Sequence, residues 1–180
     1  MSRNFRIGHE RRAPRPLDLA ALEALALAYV GRYATTRTRI ANYLRRKLKE
    51  RGWEGAGEPP IAAVVARLAE LKYVDDAAFA EARGTALARR GYGARRVAQA
   101  LAAAGVDEAD SADVRTTVET QAMEAALVFA RRRRIGPFAA RELDREQRRK
   151  AFAAMLRAGH APAIARRVID AAPGADIERD

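Results

Sequence analysis

The sequence contains no cysteine, and histidine and serine occur only twice each. The absence of cysteine excludes disulfides, thiolate metal sites and thiol nucleophiles, and it is typical of proteins in a reducing cytoplasm. His9 lies in a charged terminal segment, His160 lies beside a predicted helix cap, and the serines are Ser2 and Ser111. This supply of residues argues against a Ser/His or Cys/His nucleophilic site.

Glycine-rich phosphate loops and long hydrophobic runs are also absent. Neither Gly-x4-Gly-Lys-Ser/Thr nor Gly-x-Gly-x-x-Gly occurs, so nucleotide hydrolysis and dinucleotide use lack their phosphate site. No apolar run approaches the roughly 20 residues that span a bilayer, and residues 1–16 lack the apolar core of a signal peptide. We therefore expect a cytoplasmic binding protein that is not an enzyme, needs no metal or cofactor and has no membrane partner.

Aromatic residues are scarce at 6%, whereas 49% of the residues are hydrophobic, with alanine and leucine dominant. This composition favours close-packed helices over a sheet. The net charge is +11, from 34 lysines and arginines against 23 acidic residues. A domain this basic usually contacts nucleic acid, an acidic protein surface or an anionic membrane, and charge alone does not distinguish these partners.

A weak repeat occurs three times. It consists of an apolar residue, a second apolar residue four positions later and a glycine four positions after that. The copies are Leu44, Leu48 and Gly52; Val97, Leu101 and Gly105; and Ala151, Met155 and Gly159. Each copy lies in a basic helical pattern between two further helical patterns, so the repeat predicts three helices per unit. Because a unit of about 50 residues has too little core to be stable alone, the units should stack and share apolar surface.

The predicted fold is all-α, with three tandem three-helix (helix-turn-helix-like) modules stacked into an elongated curved array. The predicted modules span residues 17–74, 75–120 and 121–172. Residues 1–16 are predicted to form a flexible basic tail, and residues 173–180 a disordered tail. Such an array presents a long concave face that can follow a polymeric partner.

The segment from Leu71 to Arg96 joins two helical patterns through specific turn residues. Asp75 or Asp76 can cap the second pattern, which should begin near Asp76. Gly91 and Gly93 then permit a tight turn. We interpret the two carboxylates as caps because no metal-ligand set or acid/base partner lies near them in the sequence.

This segment resembles the central module of the RecX family, bacterial regulators of the RecA recombinase. It contains a Tyr-Val/Leu-Asp-Asp-x-x-Phe-Ala run, a basic Arg-Gly-x-Gly turn and a Leu-x-x-x-Gly-Val/Ile helix, in this order, between Tyr73 and Val106. The resemblance implies a monomer that binds the RecA filament on DNA and modulates, mainly by inhibition, its recombination and ATPase activities. It also implies a role in DNA repair and the SOS response.

Two arginine clusters, one with a tyrosine, are the candidate partner-binding residues. They comprise Arg89, Arg90, Tyr92, Arg95 and Arg96 around the glycine turn, and Arg131, Arg132, Arg133 and Arg134 at a predicted helix end. Guanidinium groups form forked hydrogen bonds to carboxylates or phosphates, and the tyrosine ring offers a stacking face. Alternatively, the arginines only complement helix dipoles and the ring only fills a helix junction.

Two other features are interpreted as structural. The basic residues 45–51 are expected to form a solvated outer helix face. Trp53, the only tryptophan, follows Gly52 and is expected to cover the helix end as an apolar cap contact.

Direct, weak and non-specific binding of single- or double-stranded DNA, without recombinase contact, is the alternative function. Three-helix units with basic second helices favour it. The helix after Gly93 offers Gln99 but few other side chains for base edges. Salt-sensitive phosphate binding is therefore expected rather than operator recognition. A purely structural scaffold is a third alternative.

Overall fold

The computed structural model describes residues 15–177, of which nine α-helices form the largest part. The helices are α1 Leu19–Val30, α2 Arg37–Arg51, α3 Ile61–Glu70, α4 Asp76–Arg89, α5 Ala94–Ala102, α6 Glu108–Thr120, α7 Ala122–Arg133, α8 Arg145–Arg157 and α9 Pro162–Asp170. A 3-10 turn, Gly136–Phe138, lies between α7 and α8. Across the described range, extended pairing is limited to one isolated bridge between Leu17 and Trp53. The all-α prediction is confirmed.

Side-chain caps explain where five of the helices begin. The capping residues are Asp18, Thr36, Asp75, Asp107 and Asp144. Each accepts a hydrogen bond from a main-chain amide that the helix leaves unpaired, a contact that contributes about 0.5–2 kcal/mol. Asp75 accepts from the amide of Ala78 at 3.0 Å, so the predicted start of α4 at Asp76 is confirmed.

Three buried apolar clusters follow one another along the chain. The first is formed by α1, α2 and α3, the second by α4, α5 and α6, and the third by α7, α8 and α9. Each α-helical trio buries its own core, in agreement with the prediction of tandem three-helix modules. The boundaries assigned to the modules from the sequence stay predictions.

The glycines of the repeat end the second helix of each module. Gly52, Gly105 and Gly159 have φ angles of +85°, +74° and +93°, a backbone region that glycine enters without steric cost. A Cβ at Gly105 would lie 2.4 Å from the side chain of Thr38, and one at Gly159 would lie 2.3 Å from the main-chain nitrogen of Arg96. The repeat therefore encodes close contact with the preceding module as well as a helix end.

The first joint connects the end of α5 to the start of α2. The hydroxyl of Thr36 donates to the carbonyl of Ala104 at 2.6 Å, and the hydroxyl of Thr38 donates to the carbonyl of Gly105 at 3.0 Å. Carbonyls at a helix end have no partner within the helix. The second module therefore satisfies two of them with side chains of the first.

The first joint also contains a charged contact. Asp76, which is 4% exposed, accepts from the main-chain amide of Arg37 at 2.9 Å and lies 3.3 Å from its guanidinium. Asp110 is a second ion-pair partner of Arg37. Desolvation opposes the charge of Arg37, but the two carboxylates outweigh it and raise the pKa of the guanidinium above its ordinary value. Asp76 thus stabilises the start of a helix in another module.

The second joint connects the end of α8 to the start of α5 with main-chain atoms. The amide of Gly93 donates to the carbonyl of Ala158 at 2.9 Å, and the amide of Arg95 donates to the carbonyl of Gly159 at 3.2 Å. A Cβ at Gly93 would lie 2.4 Å from the main chain of Gly159. Glycine at position 93 is therefore required by the approach of the third module.

His160 completes the second joint. Its side chain is buried, and Nε2 lies 3.1 Å from the carbonyl oxygen of Gly91. Burial lowers the pKa of the imidazole, and the hydrogen bond with Gly91 opposes this effect only in part. Gly91 has a φ angle of +79°, and a Cβ there would lie 2.8 Å from the main-chain nitrogen of Phe129. The turn after α4 is thus held against both α7 and the end of α8.

Within residues 15–177, no module precedes the first one to contact the end of its second helix. The N-terminal segment around Leu17 contacts the end of α2 instead. The amide of Leu17 donates to the carbonyl of Gly52 at 3.0 Å, and the amide of Glu54 donates to the carbonyl of Leu17 at 2.9 Å. Trp53 is half-buried and packs against the first core, which agrees with the structural interpretation of this residue.

Candidate partner-binding groove

The structure brings five of the nine predicted site residues to one groove of about 550 Å³ between the second and third modules. This arginine groove is lined by Arg90, Tyr92, Arg96, Phe129, Arg132, Arg133, Ala154, Arg157 and Ala158. Arginines from both predicted clusters therefore meet, although about 40 residues separate them in the sequence.

Four helices position the side chains of the arginine groove. Arg90 and Tyr92 belong to the turn after α4, and Arg96 lies in the first turn of α5. Arg132 and Arg133 lie in the last turn of α7. The second joint fixes these elements relative to one another, because it holds the end of α8 against the start of α5.

Sequence analysis did not identify Arg157 as a site residue. It lies in the last turn of α8, two residues before Gly159. Because Gly159 contacts the main chain of Arg96, Arg157 is brought to the same groove. The repeat predicted that the modules stack, but not that the end of α8 meets the start of α5, so it gave no signal for Arg157.

Ring and main-chain contacts orient three of the guanidinium groups. Cζ of Arg90 lies 5.9 Å from the ring centre of Tyr92, and Cζ of Arg133 lies 5.6 Å from that of Phe129. Nη1 of Arg132 donates to the carbonyl of Arg90 at 2.7 Å. Arginine stacks on aromatic faces while its outer N–H groups stay available for forked hydrogen bonds.

The arginine groove has strong positive charge without a matching carboxylate. Its lining contains five arginines and no acidic residue. All five arginines are exposed, and none forms an ion pair with a carboxylate in residues 15–177. Charges of one sign in a concave surface concentrate their field and attract an anionic partner. The groove is therefore suited to carboxylates or phosphates.

The other four predicted arginines lie outside the groove. Arg89 lines a separate hollow, and Arg95 lines an apolar cavity at the second joint. Cζ of Arg131 lies 4.9 Å from the ring centre of Phe138. Arg134 ends α7 in a left-handed conformation, with a φ angle of +54°. A role for these four residues in partner binding stays a prediction.

The alternative roles predicted for these residues, filling a helix junction and complementing a helix dipole, apply to some of the residues that line the groove. Tyr92 is half-buried and packs against the second core, so its ring does fill a helix junction. Positive charge in the last turn of α7 also suits the helix dipole. The dipole role uses the same guanidinium charges of Arg132 and Arg133 that line the groove, so it is compatible with a contact to a partner.

Residues 15–177 contain neither a metal-binding cluster nor a membrane-spanning helix. No group of three or more His, Asp or Glu side chains there could hold a metal ion. In the same range, none of the helices combines the length and apolar character required to cross a membrane.

Comparisons with known proteins identify the family. The sequence model described as "RecX, second three-helix domain" matches residues 75–114. Regulatory protein RecX of Myxococcus xanthus (strain DK1622) is 34% identical over 168 residues, which cover 89% of this chain and 90% of that protein. The chain belongs to the RecX family. Regulatory protein RecX of Agrobacterium fabrum strain C58 is 30% identical over 138 residues, which cover 74% of this chain and 73% of that protein.

Solved RecX structures have the same fold. The crystal structure of RecX from Lactobacillus salivarius matches with a TM-score of 0.68 at 18% identity, covering 84% of this chain and 94% of that one. A crystal structure of regulatory protein RecX matches with a TM-score of 0.57 at 21% identity, covering 84% and 73%. The resemblance read from the central segment is therefore confirmed, and the chain is a regulatory protein of the RecX type.

Proposed function

We propose that this RecX-family protein binds a RecA-type recombinase filament on DNA and restrains its recombination and ATPase activities. Family membership supports the regulatory role. The arginine groove supplies a surface through which a protein without its own catalytic site can act, because binding alone can hold one conformation of a partner. The proposal places the protein in the cytoplasm, as a monomer, in DNA repair and the SOS response.

The observation that carries this proposal is the convergence of five exposed arginines on one groove at the second joint, none of which pairs with a carboxylate of residues 15–177. Hydrogen bonds to charged groups contribute about 1.5–3 kcal/mol each, more than neutral ones. Because the arginines belong to both modules, one anionic surface would contact both at once. An acidic face repeated along a filament would meet this requirement, and several contacts along the array would add through effective concentration.

Binding to preassembled RecA filaments on single-stranded DNA tests the proposal. Filament binding and binding to the same bare DNA are compared at equal, near-physiological salt while ATP hydrolysis is followed. We expect tighter binding to the filament and slower hydrolysis. Equal affinity for bare DNA, with unchanged hydrolysis, would contradict a recombinase regulator.

A matched pair of variants tests the groove itself. Arg96→Glu with Arg157→Glu removes positive charge from two sides of the groove. Arg141→Glu with Arg145→Glu makes the same change in net charge at exposed arginines outside it. We expect the first variant to lose more than about tenfold in filament affinity and the second to bind nearly as wild type. Circular dichroism checks that both remain helical, and equal losses would leave only a general charge effect.

Direct DNA binding through the groove is the second candidate function. Tyr92 and Phe129 lie beside guanidinium groups there, as stacking rings do in proteins that bind single strands. In this case, a plot of the logarithm of the binding constant for bare single-stranded DNA against the logarithm of the salt concentration should have a negative slope, of about 0.7 for each phosphate contacted. The groove variant should flatten this slope, and the control variant should not.

A further inference from the structure

Three of the five tyrosines of the chain form one cluster on the first module, away from the arginine groove. Together with three basic residues they line a shallow hollow of about 420 Å³ between α1 and α2. We call this surface the tyrosine patch. Its side chains are Tyr29, Tyr33, Tyr43, Arg32, Arg46 and Lys47.

The rings of the tyrosine patch form a stepped platform. The rings of Tyr29 and Tyr43 are stacked, with centres 4.3 Å apart and an interplanar angle of 24°. The ring of Tyr33 lies 5.2 Å from that of Tyr29 and is tilted by 51°. Tyr29 and Tyr43 pack against the first core, whereas Tyr33 is 57% exposed. Two rings are thus fixed by packing, and the third offers its surface to solvent.

Positive charge surrounds this platform. Cζ of Arg46 lies 5.6 Å from the ring centre of Tyr43, and Nζ of Lys47 lies 5.9 Å from it. Glu50 offsets part of this charge, because it lies 2.7 Å from Lys47 and 3.7 Å from Arg46. Arg32, which is exposed next to Tyr33, forms no ion pair with any residue of the described chain. Net positive charge therefore remains beside the exposed ring.

We propose that the tyrosine patch binds single-stranded nucleic acid, with an unpaired base stacked on Tyr33 and the neighbouring phosphates contacted by Arg32 and Arg46. An isolated exposed tyrosine would need no explanation. A supported platform of rings with cations at its edge has the chemistry of single-strand binding surfaces, because every base has a face that can stack. In this proposal, Arg46 and Lys47 contribute to a binding surface in addition to the solvated helix face expected from the sequence.

This site would give the first module a function that the recombinase contact does not require. The arginine groove lies between the second and third modules, and the tyrosine patch lies within the first. A protein with both surfaces could hold an anionic partner and an exposed strand at the same time. The proposal therefore stands independently of filament binding.

Fluorescence anisotropy with two labelled strands tests the stacking. One strand is an oligothymidylate of about 15 nucleotides, near the upper site size of single-strand modules. The other has the same phosphates but abasic sugars. We expect the wild type to prefer the thymine strand by about 5- to 150-fold, the range of one stacked base. Equal affinity for the two strands would overturn the proposal.

Substitutions at two equally exposed tyrosines locate the contact. Tyr33→Ala should abolish most of the preference for bases, and Tyr33→Phe should retain it because the ring remains. Tyr73→Ala is the matched control, since Tyr73 is 56% exposed and lies outside the patch. Arg32→Gln should weaken binding of both strands alike. Equal effects of Tyr33→Ala and Tyr73→Ala would overturn the assignment to this patch.

Two further measurements distinguish DNA, RNA and a protein as the ligand of the tyrosine patch. An oligoribothymidylate differs from the thymine strand only in its 2′-hydroxyls. Binding with the same dependence on Tyr33 supports the site and shows that the sugar does not matter, whereas weaker binding assigns the site to DNA. If Tyr33→Ala impaired filament binding but not strand binding, the patch would belong to a protein partner and the proposal would be wrong. The Arg96→Glu with Arg157→Glu variant should keep its preference for bases, so the two proposals can fail separately.

Discussion

The two joints of this protein have the same geometry but different chemistry. In each, the carbonyls that end a second helix accept two hydrogen bonds from the start of the preceding second helix. At the first joint the donors are the hydroxyls of Thr36 and Thr38. At the second joint the donors are the main-chain amides of Gly93 and Arg95.

The difference extends to the groups around each joint. Arg37, Asp76 and Asp110 form a charged contact at the first joint. The second joint instead has a buried histidine, the pKa of which is lowered by burial, and an apolar cavity of about 540 Å³ beside it. Main-chain atoms hold the second joint, and the arginines that line the groove there form no ion pair with a carboxylate within residues 15–177. Arg37 at the first joint is 45% exposed, but it is already paired with Asp76 and Asp110.

The largest expected effect comes from adding a methyl group where α8 meets α5. In Gly159→Ala, the new Cβ would lie 2.3 Å from main-chain nitrogen, at a residue with a φ angle of +93°. We expect a loss of about 3 kcal/mol or more in the free energy of unfolding, from backbone strain and from the clash together. Urea denaturation, followed by circular dichroism, measures this change.

Substitutions at two other glycines separate the contribution of backbone strain from that of the steric clash. Gly57→Ala imposes a similar φ angle, +70°, with nothing within 4 Å of the new Cβ, and should cost only about 1–2 kcal/mol. Gly105→Ala would place its Cβ 2.4 Å from the Cβ of Thr38, at a φ angle of +74°. Because the Cβ of Thr38 is fixed to the main chain, this variant should lose nearly as much stability as Gly159→Ala. If Gly159→Ala and Gly57→Ala cost the same, the close contact at the second joint would contribute nothing.

The next largest effect should be confined to the first joint. Asp76→Ala removes the acceptor for the amide and the guanidinium of Arg37, and we expect a loss of about 2–4 kcal/mol. Asp113→Ala, at an exposed carboxylate of α6, is the control and should change stability by less than about 0.5 kcal/mol. Hydrogen exchange should become faster at the start of α2 and stay unchanged at Arg95. Faster exchange at both joints would show that they open together.

The pH dependence should distinguish the second joint from the first. Burial holds the pKa of His160 below its ordinary value, so the folded protein binds fewer protons at this residue than the unfolded chain. The stability that follows is present above about pH 6.5, the ordinary pKa of histidine, and is lost as the pH falls below it. Protonation would add an N–H at Nδ1, and no group of residues 15–177 accepts a hydrogen bond from that atom.

His160→Gln removes the titrating group and keeps an N–H that can reach the carbonyl of Gly91. We expect the unfolding free energy of the wild type to fall more steeply than that of the variant between about pH 6.5 and pH 5.5. Arg95 and Glu119, which line the neighbouring cavity, are the same in both proteins, so the comparison isolates His160. Parallel curves for the two proteins would show that His160 does not control the stability of the joint.

Local signals explain what the sequence predicted. Periodic apolar residues, a cap at Asp75 and the glycines of the repeat act over a few residues, so they indicate helices and their ends directly. Asp76 shows the limit, because its partner Arg37 lies 39 residues earlier. Without knowledge of how the modules pack, the sequence indicates only that Asp76 could cap its own helix.

The composition of the arginine groove shows the same limit. Consecutive residues of a helix point in different directions, so Arg132 and Arg133 reach the groove while Arg131 lies on Phe138. Which arginines share a surface depends on how α8 docks on α5. This docking also brings in Arg157, which no local pattern distinguishes from other basic residues.

The smallest expected effect tests the difference between side-chain and main-chain donors directly. Thr38→Ala removes the hydroxyl that donates to Gly105 and should cost about 0.5–1.5 kcal/mol, toward the lower end because the bond is exposed. Arg95 occupies the equivalent position at the second joint, but its amide, not its side chain, donates to Gly159. Arg95→Ala should therefore leave the free energy of unfolding nearly unchanged.

Thermal unfolding of the two variants decides between these outcomes. Equal losses would mean that the arginine side chain also holds the second joint, and the contrast between the joints would then lie in the charged contact of Arg37 alone.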